Sequence, residues 1–189
     1  MPRWEPNAAG RLQQAAIDLF TAQGYERTTV AEIAARAGVT ERTFFNHFSH
    51  KRDVLFGPNS DRLTRVTARE IAASPAGTTP LTAVLHGLRA AAGEVLDGLQ
   101  EPAARRRGII EATPELQERE ESKRAALAAA MAGALRDRGV DDTTARLAAG
   151  IGLLVHQTAE HRWTEPGAPD SLPTLLTEAM TALRTIIDT

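Results

Sequence analysis

Polar side chains that can hydrogen-bond to nucleic acid bases are concentrated in one short stretch of the sequence. Four of them lie within six residues: Arg42, Thr43, Asn46 and His47. Together they supply donors and acceptors of the kinds that read base edges. Residues 36–52 hold four basic residues and one acidic residue, a local balance of +3, whereas the whole chain carries a net charge of −2. Any nucleic acid binding here must therefore depend on a few well-placed contacts and not on a broad basic surface.

His156, Glu160 and His161 are the best candidates for a metal or catalytic site elsewhere in the chain. Ligands on one helix face need a spacing of three or four residues, whereas the two histidines are five residues apart. His156 and Glu160 share a face, but two ligands make an incomplete site. The chain has no cysteine, and it lacks a nucleophile elbow, a phosphate-binding loop and a dinucleotide fingerprint. We therefore predict no catalytic residue, no metal and no cofactor.

The elements that must position these side chains are helices. Apolar residues recur at helical spacing almost throughout the chain, with no alternating strand pattern. Alanine is abundant and aromatic residues make up only 4% of the chain, which favours helix over strand. After three short helices within the first 50 residues and a fourth from about residue 51, the pattern predicts helices at about 79–99, 102–112, 114–138, 141–163 and 172–187.

Two short helices joined by a glycine-containing turn are expected between residues 29 and 48. Thr29 and Thr40 can each cap a helix, and Gly38 can adopt the left-handed conformation that a sharp turn requires. Phe44 and Phe48 lie four residues apart and can anchor the later helix to the core. The remaining side chains of that helix then face outward: Glu41, Arg42, Thr43, Phe45, Asn46 and His47. This arrangement is typical of a DNA-binding helix-turn-helix.

The segment around this motif resembles the N-terminal DNA-binding domain of the TetR family of bacterial regulators. The resemblance covers roughly residues 8–56 and rests on Phe20, Gly24-Tyr25, Thr28-Thr29, Ile33-Ala34, Ala37-Gly38-Val39, Phe45-Asn46-His47-Phe48 and Lys51. One position departs from the pattern, because Phe45 occupies a place where the family commonly has tyrosine. Phenylalanine lacks the hydroxyl that would donate to a phosphate.

The resemblance implies a set of DNA-contacting residues: Thr29, Thr40, Arg42, Thr43, Phe45, Asn46, His47 and Lys51. By analogy, Thr29, His47 and Lys51 bind phosphates. Thr40 caps the third helix and touches a phosphate. Arg42, Thr43 and Asn46 read base edges, while Phe45 packs against sugar or a thymine methyl, or only supports its neighbours. The alternative is that the two threonines are merely caps and that Arg42 and Lys51 are solvated.

The resemblance also implies two domains, a DNA-binding domain over residues 1–55 and a helical ligand-binding and dimerisation domain over residues 56–189. Candidate pocket residues are Leu85, His86, Leu88, Val95, Ile109, Ile110, Leu127, Met131, Leu154, His156 and Gln157. Candidate dimer-interface residues are Ala145, Ala148, Ala149, Gly152, Val155, Leu176, Ala179 and Leu183. Ordinary packing within one chain is the alternative for both sets.

The stretch from Arg105 to Leu116 resembles a subgroup of actinobacterial regulators to which acyl-CoA-like ligands are assigned. Three consecutive arginines could bind CoA phosphates, or they could pair with nearby glutamates at 115, 118, 120 and 121. The expected partners are thus a double-stranded DNA operator, a small lipophilic or acyl-CoA-like effector, and a second copy of the chain.

The family analogy makes this chain a ligand-responsive repressor that binds a palindromic operator as a homodimer and is released by its effector. No run of the sequence approaches the roughly 18 apolar residues of a membrane span, so a cytoplasmic protein without a membrane partner is expected. A helical enzyme or a scaffold that does not bind DNA is the competing interpretation.

Overall fold

The structure is a computed structural model that describes residues 8–168 and 171–187. Within these residues it contains helices and turns and no strand, which confirms the predicted all-α class. The helices are α1 (Ala8–Gln23), α2 (Val30–Arg36), α3 (Glu41–His47), a 3₁₀ helix (Lys51–Phe56), α4 (Pro58–Ala73), α5 (Pro80–Val95), α6 (Gln100–Glu111), α7 (Pro114–Asp137), α8 (Asp142–Trp163) and α9 (Leu172–Ile187). No helix in this part of the chain is both long and apolar enough to cross a bilayer. Residues 1–7 of the predicted first domain lie outside the described residues.

Several helix ends lie where the sequence predicts them. Thr29, Thr40 and Asp141 precede α2, α3 and α8. Each side chain accepts from the backbone N–H three residues later, at 3.0–3.2 Å, which satisfies a donor that the helix leaves free. Gly57 separates the 3₁₀ helix from α4, which begins at Pro58. Proline is tolerated there because the first helical turn needs no N–H from it.

The chain forms two compact units whose boundaries are not sequential. Unit 1 contains the residues up to Ser60 together with Glu101–Glu120. Unit 2 contains Asp61–Gln100 and the residues from Glu121 onward. The predicted division between residues 55 and 56 stays a prediction. Unit 1 also includes α6 and the start of α7, so the two compact units are not continuous stretches of the chain.

Unit 1 has an apolar core to which α1, α2, α3, the 3₁₀ helix, α6 and α7 contribute. The later helices supply Ile109, Ile110 and Leu116, which are 9%, 6% and 0% exposed. They belong to the same buried cluster as Phe44 and Phe48 of the helix-turn-helix. The helix-turn-helix therefore does not complete its core from residues 8–56 alone.

Two arginines hold α6 against the rest of unit 1. The guanidinium of Arg105 donates to Asp18 of α1 at 2.8 Å. The guanidinium of Arg106 donates to the carbonyl oxygen of Leu55 at 2.8 Å and to the carboxylate of Glu120 at 2.5 Å. Because both arginines are partly buried, these charge-assisted bonds contribute orientation as well as attraction.

The first turns of α7 make further polar contacts within unit 1. Arg119 Nε donates to Asp53 Oδ1 at 3.0 Å, and Arg52 Nη1 lies 3.8 Å from Glu115 Oε1. The Tyr25 hydroxyl is hydrogen-bonded to Glu115, and burial followed by this carboxylate raises the pKa of Tyr25 above its ordinary value. The phenol therefore stays a neutral donor across the physiological range.

Unit 2 packs α5, α8 and α9 against one another. Gly152 of α8 lies so close to α5 that a Cβ atom there would overlap Val84 and also contact Met131. Gly87 of α5 approaches α4 in the same way, because an added Cβ would lie 2.7 Å from the carbonyl oxygen of Thr67. Small residues on these helices thus bring backbones together within one chain.

Substituting Gly38 tests the turn of the helix-turn-helix. Gly38 has a φ of +70° and open space where a Cβ would be, so Gly38→Ala introduces left-handed strain without a clash. We expect the free energy of unfolding to fall by about 1–2 kcal/mol, measured by urea unfolding followed by circular dichroism. Gly108→Ala is the matched control, since this exposed α6 position also has open space and an ordinary φ. Gly108→Ala should raise the free energy of unfolding by about 0.5–1 kcal/mol. Equal effects of the two variants would contradict the left-handed conformation assigned to Gly38.

Substituting Arg105 tests its bond to Asp18. The Arg105 guanidinium, opposed by partial burial and aided by Gln14, holds the pKa of Asp18 below its ordinary value. A lowered folded-state pKa stabilises the protein above the ordinary pKa, and the contribution disappears as the pH falls through the lowered value. Arg105→Met should therefore raise the Asp18 pKa in a carboxyl NMR titration and destabilise the chain more at about pH 7 than at about pH 3.

Arg36→Met is the matched control, because Arg36 lies 3.4 Å from the other Asp18 oxygen and is the smallest of the named influences on that carboxyl. It should raise the Asp18 pKa less than Arg105→Met does. A larger rise with Arg36→Met would contradict the assignment.

Candidate DNA-binding site

The candidate site is the outward face of α3, which the core of unit 1 holds in place. Phe44 and Phe48 are 0% and 6% exposed, and Phe44 packs against Phe48 at 5.4 Å between ring centroids. The turn before α3 is closed by two backbone bonds, from Gly38 N–H to Ala35 O at 3.1 Å and from Val39 N–H to Ala34 O at 2.9 Å. These contacts fix the angle at which α3 leaves α2.

The structure brings Arg42, Phe45 and Asn46 together as one exposed patch. Residues three and four apart are neighbours on a helix surface, so both Phe45 and Asn46 adjoin Arg42. All three side chains are exposed, and none has an intrachain hydrogen bond or ion pair within the described residues. Arginine and asparagine are the side chains best suited to guanine and adenine edges. The patch can therefore present base-reading groups without first breaking internal contacts.

The predicted helix-capping role of Thr40 is visible in the structure. Its hydroxyl oxygen accepts from the Thr43 N–H at 3.2 Å, and the two hydroxyl oxygens are 3.0 Å apart. His47 lies at the last residue of α3, exposed, with its ring beside Phe48. The contacts of Thr40, Thr43 and His47 with DNA stay predictions.

Thr29 is engaged by its own helix more fully than the sequence indicated. Its backbone N–H and its hydroxyl both donate to Glu32 Oε2, at 2.7 and 2.8 Å. These bonds from Thr29 lower the pKa of Glu32, so the carboxylate remains charged beside the threonine. A phosphate contact by Thr29 would require this capping box to exchange one of its bonds.

Lys51 is half-buried and makes hydrogen bonds within unit 1, so it is not simply a solvated surface charge. Its ammonium donates to the carbonyl oxygens of Tyr25 and Thr28 at 2.9 and 3.1 Å and lies 4.0 Å from the centre of the Tyr25 ring. An ammonium has three N–H donors, so one remains for a phosphate. Lys51 fixes the loop before α2, and Tyr25, to which the sequence resemblance assigned no role, supports it.

The arginine triplet of α6 has carboxylate partners. Arg105 pairs with Asp18, Arg106 with Glu120, and the third, Arg107, donates to Glu111 at 2.6 Å. Of the four glutamates considered from sequence as partners for the triplet, Glu120 pairs with it. The triplet thus forms part of unit 1 in this structure, and ligand phosphates would have to displace these carboxylates.

The predicted pocket residues are divided between the two units. Ile109 and Ile110 lie in the core of unit 1. In unit 2, five are buried: Leu88, Val95, Leu127, Met131 and His156. Leu85 and Gln157 are half-buried, whereas His86 and Leu154 are exposed. The pocket itself stays a prediction.

His156 is a buried polar residue of unit 2. Among residues 8–168 and 171–187 its Nε2 atom has no hydrogen-bond partner, and its Nδ1 atom lies 3.9 Å from Glu160 Oε2. No group of three or more potential metal-ligating side chains occurs among residues 8–168 and 171–187.

The predicted interface residues of α8 and α9 are mostly covered within the chain. Six are buried: Ala145, Ala148, Ala149, Gly152, Val155 and Leu176. Ala179 and Leu183 are half-buried. The exposed apolar side chains of these two helices are instead Leu147, Leu154, Ile186 and Ile187, which are 53–75% exposed. The interface set predicted from sequence follows the small residues, most of which pack inside the chain.

Comparisons with known proteins agree with this geometry. Residues 12–56 match the family described as bacterial regulatory proteins, tetR family. The chain is 42% identical to the HTH-type transcriptional regulator TcmR of Streptomyces glaucescens over 88 residues, which are 47% of this chain and 38% of TcmR. It is 36% identical to the HTH-type transcriptional repressor Rv3405c of Mycobacterium tuberculosis over 99 residues, 52% of each chain. The chain thus spans about half or less of the length of the curated relatives it matches.

A solved structure has the same fold over nearly the whole chain. The transcriptional regulator FadR of Bacillus subtilis, in complex with stearoyl-CoA, superposes with a TM-score of 0.58 at 18% identity. The superposition covers 92% of this chain and 96% of that one, and at this identity it establishes the fold alone. Over residues 12–56 this chain is therefore similar to the N-terminal domain of the tetR family of bacterial regulatory proteins.

Proposed function

We propose that this protein is a transcriptional regulator that binds a palindromic DNA operator as a homodimer and represses transcription until a small molecule releases it. The observation that carries the proposal is the exposed patch of Arg42, Phe45 and Asn46 on a helix whose opposite face is anchored by buried aromatic rings. The side chains of Arg42 and Asn46 are exposed and have no role in the packing of unit 1. Their exposure in a domain similar to that of the TetR family supports DNA recognition.

A homodimer is proposed because one short recognition helix reads too few base pairs for a specific site. Dimeric regulators place two such helices in successive major grooves about 34–36 Å apart. The exposed apolar side chains of α8 and α9 support a self-association surface, since Leu147, Leu154, Ile186 and Ile187 are more than half exposed. Large apolar side chains gathered on adjacent helices are typical of contact surfaces.

The proposed effector is an apolar small molecule with a polar group that hydrogen-bonds to His156. The imidazole is nine-tenths buried and its Nε2 atom is unpaired, and a ligand that satisfies it would recover the cost of that unmet bond. The FadR structure from Bacillus subtilis holds stearoyl-CoA, a molecule with a long apolar part. Release from DNA requires the effector to bind the DNA-free conformation more tightly than the DNA-bound one.

DNA binding is tested by selecting sequences from a random duplex pool and measuring their affinity by mobility shift. We expect a palindromic consensus with half-sites one helical turn apart. Arg42→Ala should relax the preference at one position per half-site and weaken binding of the preferred sequence roughly 10- to 100-fold. Arg89→Ala is the matched control, because it removes the same charge from an exposed position of unit 2.

Two outcomes would contradict this proposal in different ways. If no sequence is retained at low salt, the protein is not a DNA-binding regulator. If Arg42→Ala weakens all sequences equally and lowers the salt slope, Arg42 contacts a phosphate and does not read a base.

The dimer is tested by sedimentation at micromolar concentration. Leu154→Glu places a charge among the exposed apolar side chains of α8 and α9, so the variant should sediment as a monomer while the unaltered chain is a dimer. Ala72→Glu adds the same charge at an exposed position of α4 and should leave the dimer intact. A monomer for the unaltered chain, both free and on DNA, would rule out the proposed assembly.

A further inference from the structure

Phe45 is an anomaly on a surface that is otherwise polar. It lies on α3 between Arg42 and Asn46 in the exposed patch, and 55% of its surface is open. A large apolar side chain in this position loses the free energy that burial would give it. Because the ring stands beside Arg42 on the outward face of a helix-turn-helix, it is available for contact with DNA.

Phe45 is not needed to hold α3 in place. The core side of the helix is occupied by Phe44 and Phe48, which are 0% and 6% exposed. Phe45 touches Phe44 edge-on, with ring centroids 5.4 Å apart and an interplanar angle of 79°. This contact fixes the orientation of the Phe45 ring without covering it, so the ring is presented in a defined pose.

The chemistry of the ring narrows what it can recognise on DNA. Phenylalanine has no hydrogen-bond donor or acceptor, so it can bond neither a phosphate oxygen nor a polar base edge. The apolar feature that the major groove offers is the C5-methyl group of thymine. Arg42 adjoins Phe45 on the helix surface, three residues away, and the side chains of Arg42 and Asn46 are suited to the polar edges of neighbouring base pairs.

We propose that Phe45 packs against the methyl group of a specific thymine in each operator half-site and thereby selects thymine over cytosine at that position. The inference rests on the proposed DNA-binding function and names one of its specificity determinants. A ring held edge-on by Phe44 loses little freedom on binding, so the contact adds to affinity with little ordering cost.

The test deletes the methyl group alone. Starting from the operator selected by the unaltered protein, each thymine is replaced in turn by uracil, which lacks only that methyl. We expect one position per half-site at which the affinity falls roughly four-fold, the value for removing one buried methyl-sized group. Replacing the same thymine–adenine pair by 5-methylcytosine–guanine should bind better than replacing it by cytosine–guanine, because the methyl group is restored.

A second arm assigns the effect to Phe45. In Phe45→Ala the uracil penalty at that position should disappear, whereas in Phe45→Leu, which keeps an apolar side chain, most of it should remain. Thermal unfolding checks that both variants fold, as expected for an exposed position. The matched control is the same uracil duplex with Arg42→Ala, in which the penalty should persist.

The outcomes separate this inference from the function on which it rests. Failure to select any sequence overturns the proposed function and the inference with it. A selected operator without a methyl-dependent thymine overturns the inference alone, as does a methyl penalty that is unchanged in Phe45→Ala. If Phe45→Ala binds too weakly to measure, the salt concentration is lowered, which raises the affinity for every duplex, and the ratio of its affinities for the thymine and uracil duplexes is measured there.

Discussion

The placement of the recognition helix depends on the burial of two aromatic rings, Phe44 and Phe48, in the core of unit 1. α3 has seven residues, too few to be stable alone in water. Its shape and direction therefore come from packing and from its Thr40 cap. Part of that packing comes from Ile109, Ile110 and Leu116, so a segment far along the chain determines whether the recognition helix is held rigidly.

Local interactions around this core reinforce a single arrangement. The ammonium of Lys51 joins the start of the 3₁₀ helix to the loop before α2 through two carbonyl oxygens. Arg106 joins α6 to the end of the same 3₁₀ helix through the carbonyl oxygen of Leu55, and its guanidinium lies over the Phe56 ring at 4.9 Å. Buried or partly buried carbonyl oxygens of loops need such donors, and here the donors come from elements that are distant in sequence.

Sequence reasoning located the helices and the exposed face of α3 because both follow from local rules. Caps such as Thr29, Thr40 and Asp141, and stops such as Gly38, are read directly from residue type. It could not assign Ile109 and Ile110 to unit 1, because periodicity shows that a helix face is apolar and not which core it joins. The same limit applies to the arginine triplet. Arg105 pairs with Asp18, which lies 87 residues away, and residue spacing cannot predict so distant a pair.

Sequence reasoning also left open which residues of α8 are exposed and which pack within the chain. Alanine and glycine at helical spacing indicate close approach between helices, but they do not say whether the neighbour belongs to the same chain. Gly152 lies against Val84 and Met131 of its own chain, whereas Leu147 and Leu154 are exposed. The side chains available to a partner are those left over once intrachain packing is complete.

Under the proposed function, the separation of inward and outward side chains on α3 has a consequence for how the protein can evolve. Its inward side chains maintain the fold, while Arg42, Phe45 and Asn46 make no packing contribution that the core of unit 1 needs. Substitutions on the outward face can therefore alter the preferred operator at little cost in stability. Duplicated copies of such a chain can acquire new target sites one side chain at a time, and the same freedom makes α3 a practical place to redesign operator choice.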